Sequence, residues 1–156
     1  MPNSKLLSKE VQAALRSLFE DWIPFNRTLG LKVISFEPSG ATIQFGMRPD
    51  LVGNYTHGIL HGGVSAAVLD ATAGLSIMTR MAYDSVDDAL ETRTARFKRL
   101  STIDLRIDYL RPGKGSQFTA SGTVLRLGKK VAATRMELVD ENGEMIAAGA
   151  AAFQVG

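Results

Sequence analysis

The stretch Gly62–Met78, GGVSAAVLDATAGLSIM, decides the fold of this 156-residue chain. Asp70 is its one ionisable residue, and its other polar side chains are three hydroxyl groups. An apolar run rich in Ala and Gly that also carries a carboxylate is more typical of a core helix than of a membrane span. We therefore predict a helix over Gly62–Met81 that the rest of the fold covers on most sides.

Asp70 and the glycines before it form the first candidate site. A carboxylate in apolar surroundings is costly to desolvate, so it normally has a partner or a function. Gly62 and Gly63 leave backbone N–H groups uncovered at the predicted helix start, where negative charge is stabilised. Acyl chemistry needs a base and fixed donors for the developing oxyanion, and these residues supply both. The alternative is a structural carboxylate, paired with a backbone amide or an arginine.

Composition excludes several other kinds of site. The chain has no cysteine, which excludes disulfides, zinc–thiolate sites and a cysteine nucleophile. A net charge of +2 is only a mild basic excess, which argues against nucleic-acid binding. His57 and His61 have no evident third ligand beside them, so we expect no metal and no cofactor. The N-terminus lacks a secretory pattern, and we expect a cytoplasmic protein with no membrane partner.

The secondary structure predicted from the sequence is mixed. A first helix is expected to begin at Ser8 and end before Pro24. A second, exposed helix is expected within residues 82–100, with Ser85 and Asp88 as its capping box. Six strands are expected from alternation and turn residues: Leu31–Glu37, Ala41–Met47, Thr102–Tyr109, Phe118–Arg126, Val131–Val139 and Met145–Val155.

These elements predict an α+β fold in which a curled antiparallel sheet wraps a long helix. Residues 1–29 form an N-terminal helix and lead-in, and residues 30–156 form the main body of a single domain. In the strand Thr102–Tyr109, alternation places Ile103, Leu105, Ile107 and Tyr109 on one face. Because a curled sheet leaves an edge strand that commonly pairs with a second copy, we expect at least a homodimer.

Two motifs resemble a known family. Residues 58–63, GILHGG, followed by six residues and then Asp70, resemble the motif of hotdog-fold acyl-CoA thioesterases. The nearest groups are the phenylacetic-acid-degradation thioesterases and the Arthrobacter-type 4-hydroxybenzoyl-CoA thioesterase. The strand Thr102–Pro112 is also similar to the family's strand after the helix, and the resemblance covers roughly residues 30–155. It implies a hotdog fold, an acyl-CoA substrate and a homodimer or homotetramer.

The resemblance also implies roles for individual residues. Asp70 would be general base or nucleophile, Gly62 N–H would polarise the thioester carbonyl, and His61 would hold the loop. Thr102 matches a hydroxyl position that assists water placement, reached from the neighbouring subunit. Family members often carry Asn or Gln where this chain has Tyr55. A one-residue shift of the loop would bring Asn54 into that role, and Tyr55 and His57 stay open as alternatives. The remaining candidates for substrate binding are Gly63, His57 and Tyr55 around the motif, and Arg111, Lys129 and Lys130 for the phosphates of coenzyme A.

Three other functions stay open at this point. A hotdog domain with the same motif could bind acyl-CoA as a sensor without hydrolysing it. A hydratase or dehydratase could use His61 with Asp70 for proton transfer, although the glycine pair favours a thioesterase. A serine triad is disfavoured because Ser65 lies inside the predicted helix. The segment 82–100, longer than the family's usual connection, is expected to cover an acyl tunnel.

Overall fold

The structure is a computed structural model that describes residues 6–156. Its N-terminal segment consists of α1 (Lys9–Ser17), a π-helical stretch (Leu18–Trp22) and α2 (Pro24–Leu29). Ser8 caps α1 as predicted, since its hydroxyl accepts a hydrogen bond from Val11 N–H at 3.3 Å. The first helical segment ends before Pro24 as expected, since the π-helical stretch stops at Trp22 and Ile23 is extended. Pro24 then begins a separate short helix, α2, in whose first turn a missing N–H costs nothing.

Six antiparallel strands form one sheet in the order β1-β2-β6-β7-β8-β5. They are β1 (Lys32–Glu37), β2 (Gly40–Gly46), β5 (Ser101–Tyr109), β6 (Gln117–Leu127), β7 (Val131–Asp140) and β8 (Met145–Gln154). A 3₁₀ turn (Pro49–Leu51) and a small two-stranded sheet, β3 (Val52–Asn54) and β4 (Ile59–Leu60), precede the central helix. The predicted α+β layout is confirmed.

The central helix α3 (Gly62–Asp84) packs along the concave face of the sheet. Leu69 and Thr72 in its middle are fully buried. The approach is close, because a Cβ on Gly122 of β6 would lie 2.3 Å from Ser76 Oγ. Among residues 6–156, α3 alone is long and apolar enough to cross a membrane, and 61% of its apolar window is buried within the fold. The prediction of a covered core helix is therefore confirmed.

The helix α4 (Leu90–Phe97) follows α3, but it does not begin as expected. Its N-cap is Ala89, whereas Ser85 is the C-cap of α3 and its hydroxyl donates to Met81 O at 2.6 Å. The predicted capping box is wrong because α3 continues past Met81 and takes the Ser85 hydroxyl into its last turn.

Candidate active site

A β-bulge in β5 decides which side chains of that strand reach α3. Thr102 pairs with Phe153 and Asp104 with the next residue, Ala152, so Ile103 is the extra residue. A bulge shifts the alternation of side chains by one residue. Thr102 therefore joins the face that contacts α3, while Ile103 is 57% exposed. The prediction that Ile103 shares a face with Leu105 and Tyr109 is wrong for this reason.

Asp70 lies in the middle of α3, at the margin of the helix's buried face. It is half-buried, whereas the preceding residues Val68 and Leu69 are fully buried. The Thr102 hydroxyl donates to Asp70 Oδ1 at 2.8 Å. Within residues 6–156, no Lys or Arg lies at ion-pair distance and Oδ2 has no hydrogen-bond donor. The carboxylate thus has one ordered hydroxyl partner and one oxygen free to accept a proton from water.

The contact between Thr102 and Asp70 also corrects an expectation. The resemblance implied that the hydroxyl comes from a neighbouring subunit, but both residues belong to the same chain. The bulge at Ile103 is the physical cause, since it directs the Thr102 side chain towards its own helix.

The two glycines at the start of α3 differ in the hydrogen bonding of their backbone N–H groups. His61 is the N-cap, and its Nδ1 accepts from Gly63 N–H at 2.8 Å. Gly63 N–H is therefore engaged, while Gly62 N–H has no acceptor within the described part of the chain. The free N–H points out of a helix N-terminus, where a developing negative charge is stabilised.

Tyr109 is a site residue that sequence reasoning missed. Its hydroxyl donates to Gly62 O at 2.8 Å. A Cβ on Gly62 would lie 3.3 Å from Tyr109 Cε1, so the ring packs directly on this glycine. The Tyr109 hydroxyl thereby fixes the peptide group next to the free N–H. Its signals in the sequence were its position in a strand whose alternation pointed it inward and the similarity of Thr102–Pro112 to the family's strand after the helix.

A cavity of about 440 Å³ opens at the same helix start. Asn54, Gly62 and Tyr109 line it, while Tyr55, 90% exposed, and His57 do not. Asn54 Oδ1 accepts from Thr56 N–H at 3.1 Å and from the Thr56 hydroxyl at 2.6 Å. This turn leaves the Asn54 Nδ2 group available to donate to a carbonyl in the cavity.

The three cations expected at coenzyme A do not form one site. Arg111 lines the cavity at the helix start and donates to Met145 O at 3.1 Å. Lys129 lines a different cleft of about 540 Å³, together with Arg96 and Arg99. Strand register explains the separation, because Arg111 and the turn holding Lys129 and Lys130 lie at opposite ends of the sheet. Within residues 6–156, no cluster of three His, Cys, Asp or Glu residues suits a metal.

Comparison with known proteins agrees with this geometry. The Thioesterase superfamily matches residues 57–147. The chain belongs to this family. It is 42% identical over 155 residues to a medium/long-chain acyl-CoA thioesterase, YigI, of Salmonella typhimurium, covering 97% of both chains. This identity confirms the prediction of a thioester-hydrolysing enzyme of the acyl-CoA thioesterase class.

Solved structures agree as well. A protein of Shewanella oneidensis related to the thioesterase superfamily superposes with a TM-score of 0.89 and 40% identity, covering 94% of this chain and 96% of that one. Mouse thioesterase superfamily member 2 superposes with a TM-score of 0.74 at 21% identity, covering 96% of this chain and 99% of that one, and supports the fold alone. The hotdog fold expected from the sequence is confirmed.

Proposed function

We propose that this enzyme hydrolyses medium- and long-chain acyl-CoA thioesters, with Asp70 as the group that activates water. The observation that carries the proposal is the Thr102–Asp70 hydrogen bond of 2.8 Å on the helix whose first N–H is free. The name of the Salmonella typhimurium relative supports the substrate class.

The proposed reaction uses groups already described. Asp70 takes a proton as the water oxygen attacks the carbonyl carbon. The negative charge moves to the carbonyl oxygen, which accepts from Gly62 N–H and from the Asn54 Nδ2 group. Collapse of the intermediate breaks the C–S bond, and the sulfur leaves as a thiolate. The thiolate then takes up the proton that Asp70 removed from water. Direct attack by Asp70 to form an anhydride is the other route, and H₂¹⁸O single-turnover labelling of Asp70 distinguishes the two.

The site is proposed to be shared between two copies of the chain. Eight residues separate Gly62 from Asp70, which on a straight helix is a rise of about 12 Å. A water bound to a carboxylate and a carbonyl bound to an N–H together span about 10 Å when fully extended. We therefore propose that the thioester carbonyl binds the Gly62 N–H of one copy, while the Asp70–Thr102 pair of the other copy holds the attacking water.

The two sheet edges support a dimer through β5. At the β1 edge, Glu20 Oε1 accepts from Val33 N–H at 2.8 Å, and Arg16 donates to Val33 O. These side chains block further strand pairing there. The β5 edge has nine residues, and the apolar side chains of Ile103 on it and of Leu110 just after it are 57% and 51% exposed. An open apolar edge of this length pairs readily with another strand, so a homodimer, and a homotetramer built from it, are proposed.

The remaining assignments follow as proposals. Arg111, which lines the cavity at the helix start, is the cation best situated for the phosphates of coenzyme A. A cytoplasmic location is proposed from the sequence alone.

A thiol-release assay on butyryl-, octanoyl-, dodecanoyl-, palmitoyl- and benzoyl-CoA tests the proposed function. We expect turnover that is highest on the medium and long chains. Ligand-dependent melting shifts without thiol release on any of the five substrates would contradict hydrolysis.

A further inference from the structure

A second, strongly apolar pocket lies beside the central helix, away from the cavity at the helix start. Its volume is about 650 Å³, within the range of about 300–1,000 Å³ for small-molecule sites. Its walls come from the N-terminal segment (residues 9–23), the last turns of α3, and α4 with the residues that follow it. None of the catalytic residues proposed above lines it.

The pocket lies near the Asp70 end of the site. Leu100 lines the pocket and stands two residues before Thr102, the partner of Asp70. On α3, Gly74 follows Asp70 by one turn, and a Cβ there would lie 3.7 Å from Leu100 Cδ2. Met78, one turn further, is a pocket wall. A row of small half-buried residues, Ala67 and Ala71, occupies the same side of α3 before Gly74.

We propose that this pocket holds the acyl chain of the substrate, with the thioester at Asp70 and the chain running along α3. The proposal rests on the proposed thioesterase function and adds the location and the length limit of the acyl chain. Met78 lies about 12 Å beyond Asp70 along the helix. The pocket wall formed by Leu15 and Leu18 precedes residue 57, where the family match begins, so this chain's own N-terminal segment would set its length preference.

A buried cation marks the far end of the pocket. Arg93 is 7% exposed, and its Nε donates to Ser85 O at 2.6 Å. Ser85 is fifteen residues past Asp70, about 22 Å along the helix. Because a guanidinium has several N–H donors and an apolar chain end offers no acceptor for them, the proposed acyl chain would end before Arg93.

The first test fills the pocket from α1. Ala14 is half-buried and lines the pocket, while its neighbour Ala13 is exposed and does not. We expect Ala14→Phe to lower kcat/KM for dodecanoyl-CoA at least tenfold and to leave butyryl-CoA within twofold, because each excluded methylene removes about fourfold in affinity. Ala13→Phe, the matched control, should leave both values unchanged.

Equal losses on both substrates, or no loss on either, would overturn the proposal. An unchanged chain-length profile combined with a lower oligomeric mass for Ala14→Phe would assign the pocket to a second copy of the chain, which also contradicts it.

The second test does not depend on turnover. Trp22 is the chain's single tryptophan, lines the pocket and is 69% exposed. Binding of S-dodecyl-CoA, a thioether that cannot be hydrolysed, should shift its emission to shorter wavelength, and S-ethyl-CoA should not. An emission spectrum that responds equally to both, or to neither, would overturn the acyl assignment. Because this readout needs no catalysis, failure of the pocket proposal and failure of the hydrolase proposal give different results.

Discussion

The Thr102 hydroxyl lies 2.8 Å from Asp70 Oδ1 because one extra residue, Ile103, interrupts the pairing of β5 with β8. Without that bulge, Thr102 would face away from α3. Seven residues along the same strand, the Tyr109 hydroxyl donates to Gly62 O. β5 thus contacts both groups of α3 that are proposed to act in the reaction. These are the Asp70 carboxylate and the peptide group beside the free Gly62 N–H.

Replacing Thr102 tests the first of these contacts. Thr102→Val keeps the shape of the side chain and removes the donor, so we expect kcat to fall about tenfold, since a hydrogen bond to a charged group is worth about 1.5–3 kcal/mol. Thr102→Ser should recover most of the activity. If Val and Ser variants lose kcat equally, the hydroxyl has no part in positioning Asp70.

Tyr109 tests the second contact. Tyr109→Phe keeps the ring on Gly62 and removes the hydroxyl, and we expect kcat/KM to fall about threefold, the effect of a neutral hydrogen bond of about 0.5–1.5 kcal/mol. Tyr83→Phe is the control, because the Tyr83 hydroxyl donates to Phe36 O at 3.3 Å, away from the helix start. A loss of the same size in both variants would indicate a general effect on stability.

The open β5 edge gives a prediction about assembly. Ile103→Lys places a charge on that edge, and we expect a monomer by light scattering together with loss of turnover. Ile34→Lys is a matched control, because Ile34 is 51% exposed and also lies at a register shift, in β1. Glu20 and Arg16 block the β1 edge, so a charge there should not affect assembly. An active monomer would contradict the shared site, and a monomer from Ile34→Lys would assign the interface to β1.

Glu20 gives a prediction about pH. Burial alone raises the pKa of Glu20, but a hydrogen bond from Val33 N–H and the nearby cations Lys32 and Arg16 outweigh it and hold that pKa below its ordinary value of 4.5. A lowered pKa contributes stability that is complete above the unfolded value and is lost as the pH falls through the folded value. We expect Glu20→Gln to lower Tm at pH 7 and to flatten the fall of Tm below about pH 4.5.

The control for this pH dependence is Glu91→Gln, an exposed carboxylate of α4. Parallel curves of Tm against pH for the wild type and Glu20→Gln would contradict the role of Glu20 in holding the N-terminal segment to β1.

Much of the fold could be predicted because its signals are local. The apolar run from Gly62 and the alternating C-terminal strands each follow from the spacing of apolar side chains. Ser8 was recognisable as a cap, whereas Ser85 was not. The length of α3 decided whether Ser85 opened one helix or closed another, and that length depends on tertiary packing.

The candidate site was only partly predictable for a related reason. Asp70, Gly62 and His61 belong to one continuous motif, so the sequence alone indicated them. Tyr109 contacts Gly62 across 47 residues, and the bulge at Ile103 leaves no mark in a pattern of alternating residues. Both features depend on how β5 aligns with β8 and with α3, which are distant from it in the sequence.

The most direct test of the account is the turnover of Asp70→Asn on dodecanoyl-CoA. We expect kcat to fall at least about 100-fold, the scale of removing an essential catalytic group, with Tm nearly unchanged because Asp70 is only half-buried. Asp84→Asn, which alters an exposed carboxylate at the other end of the same helix, should retain turnover. Near-native turnover by Asp70→Asn would contradict the central claim that this carboxylate activates water.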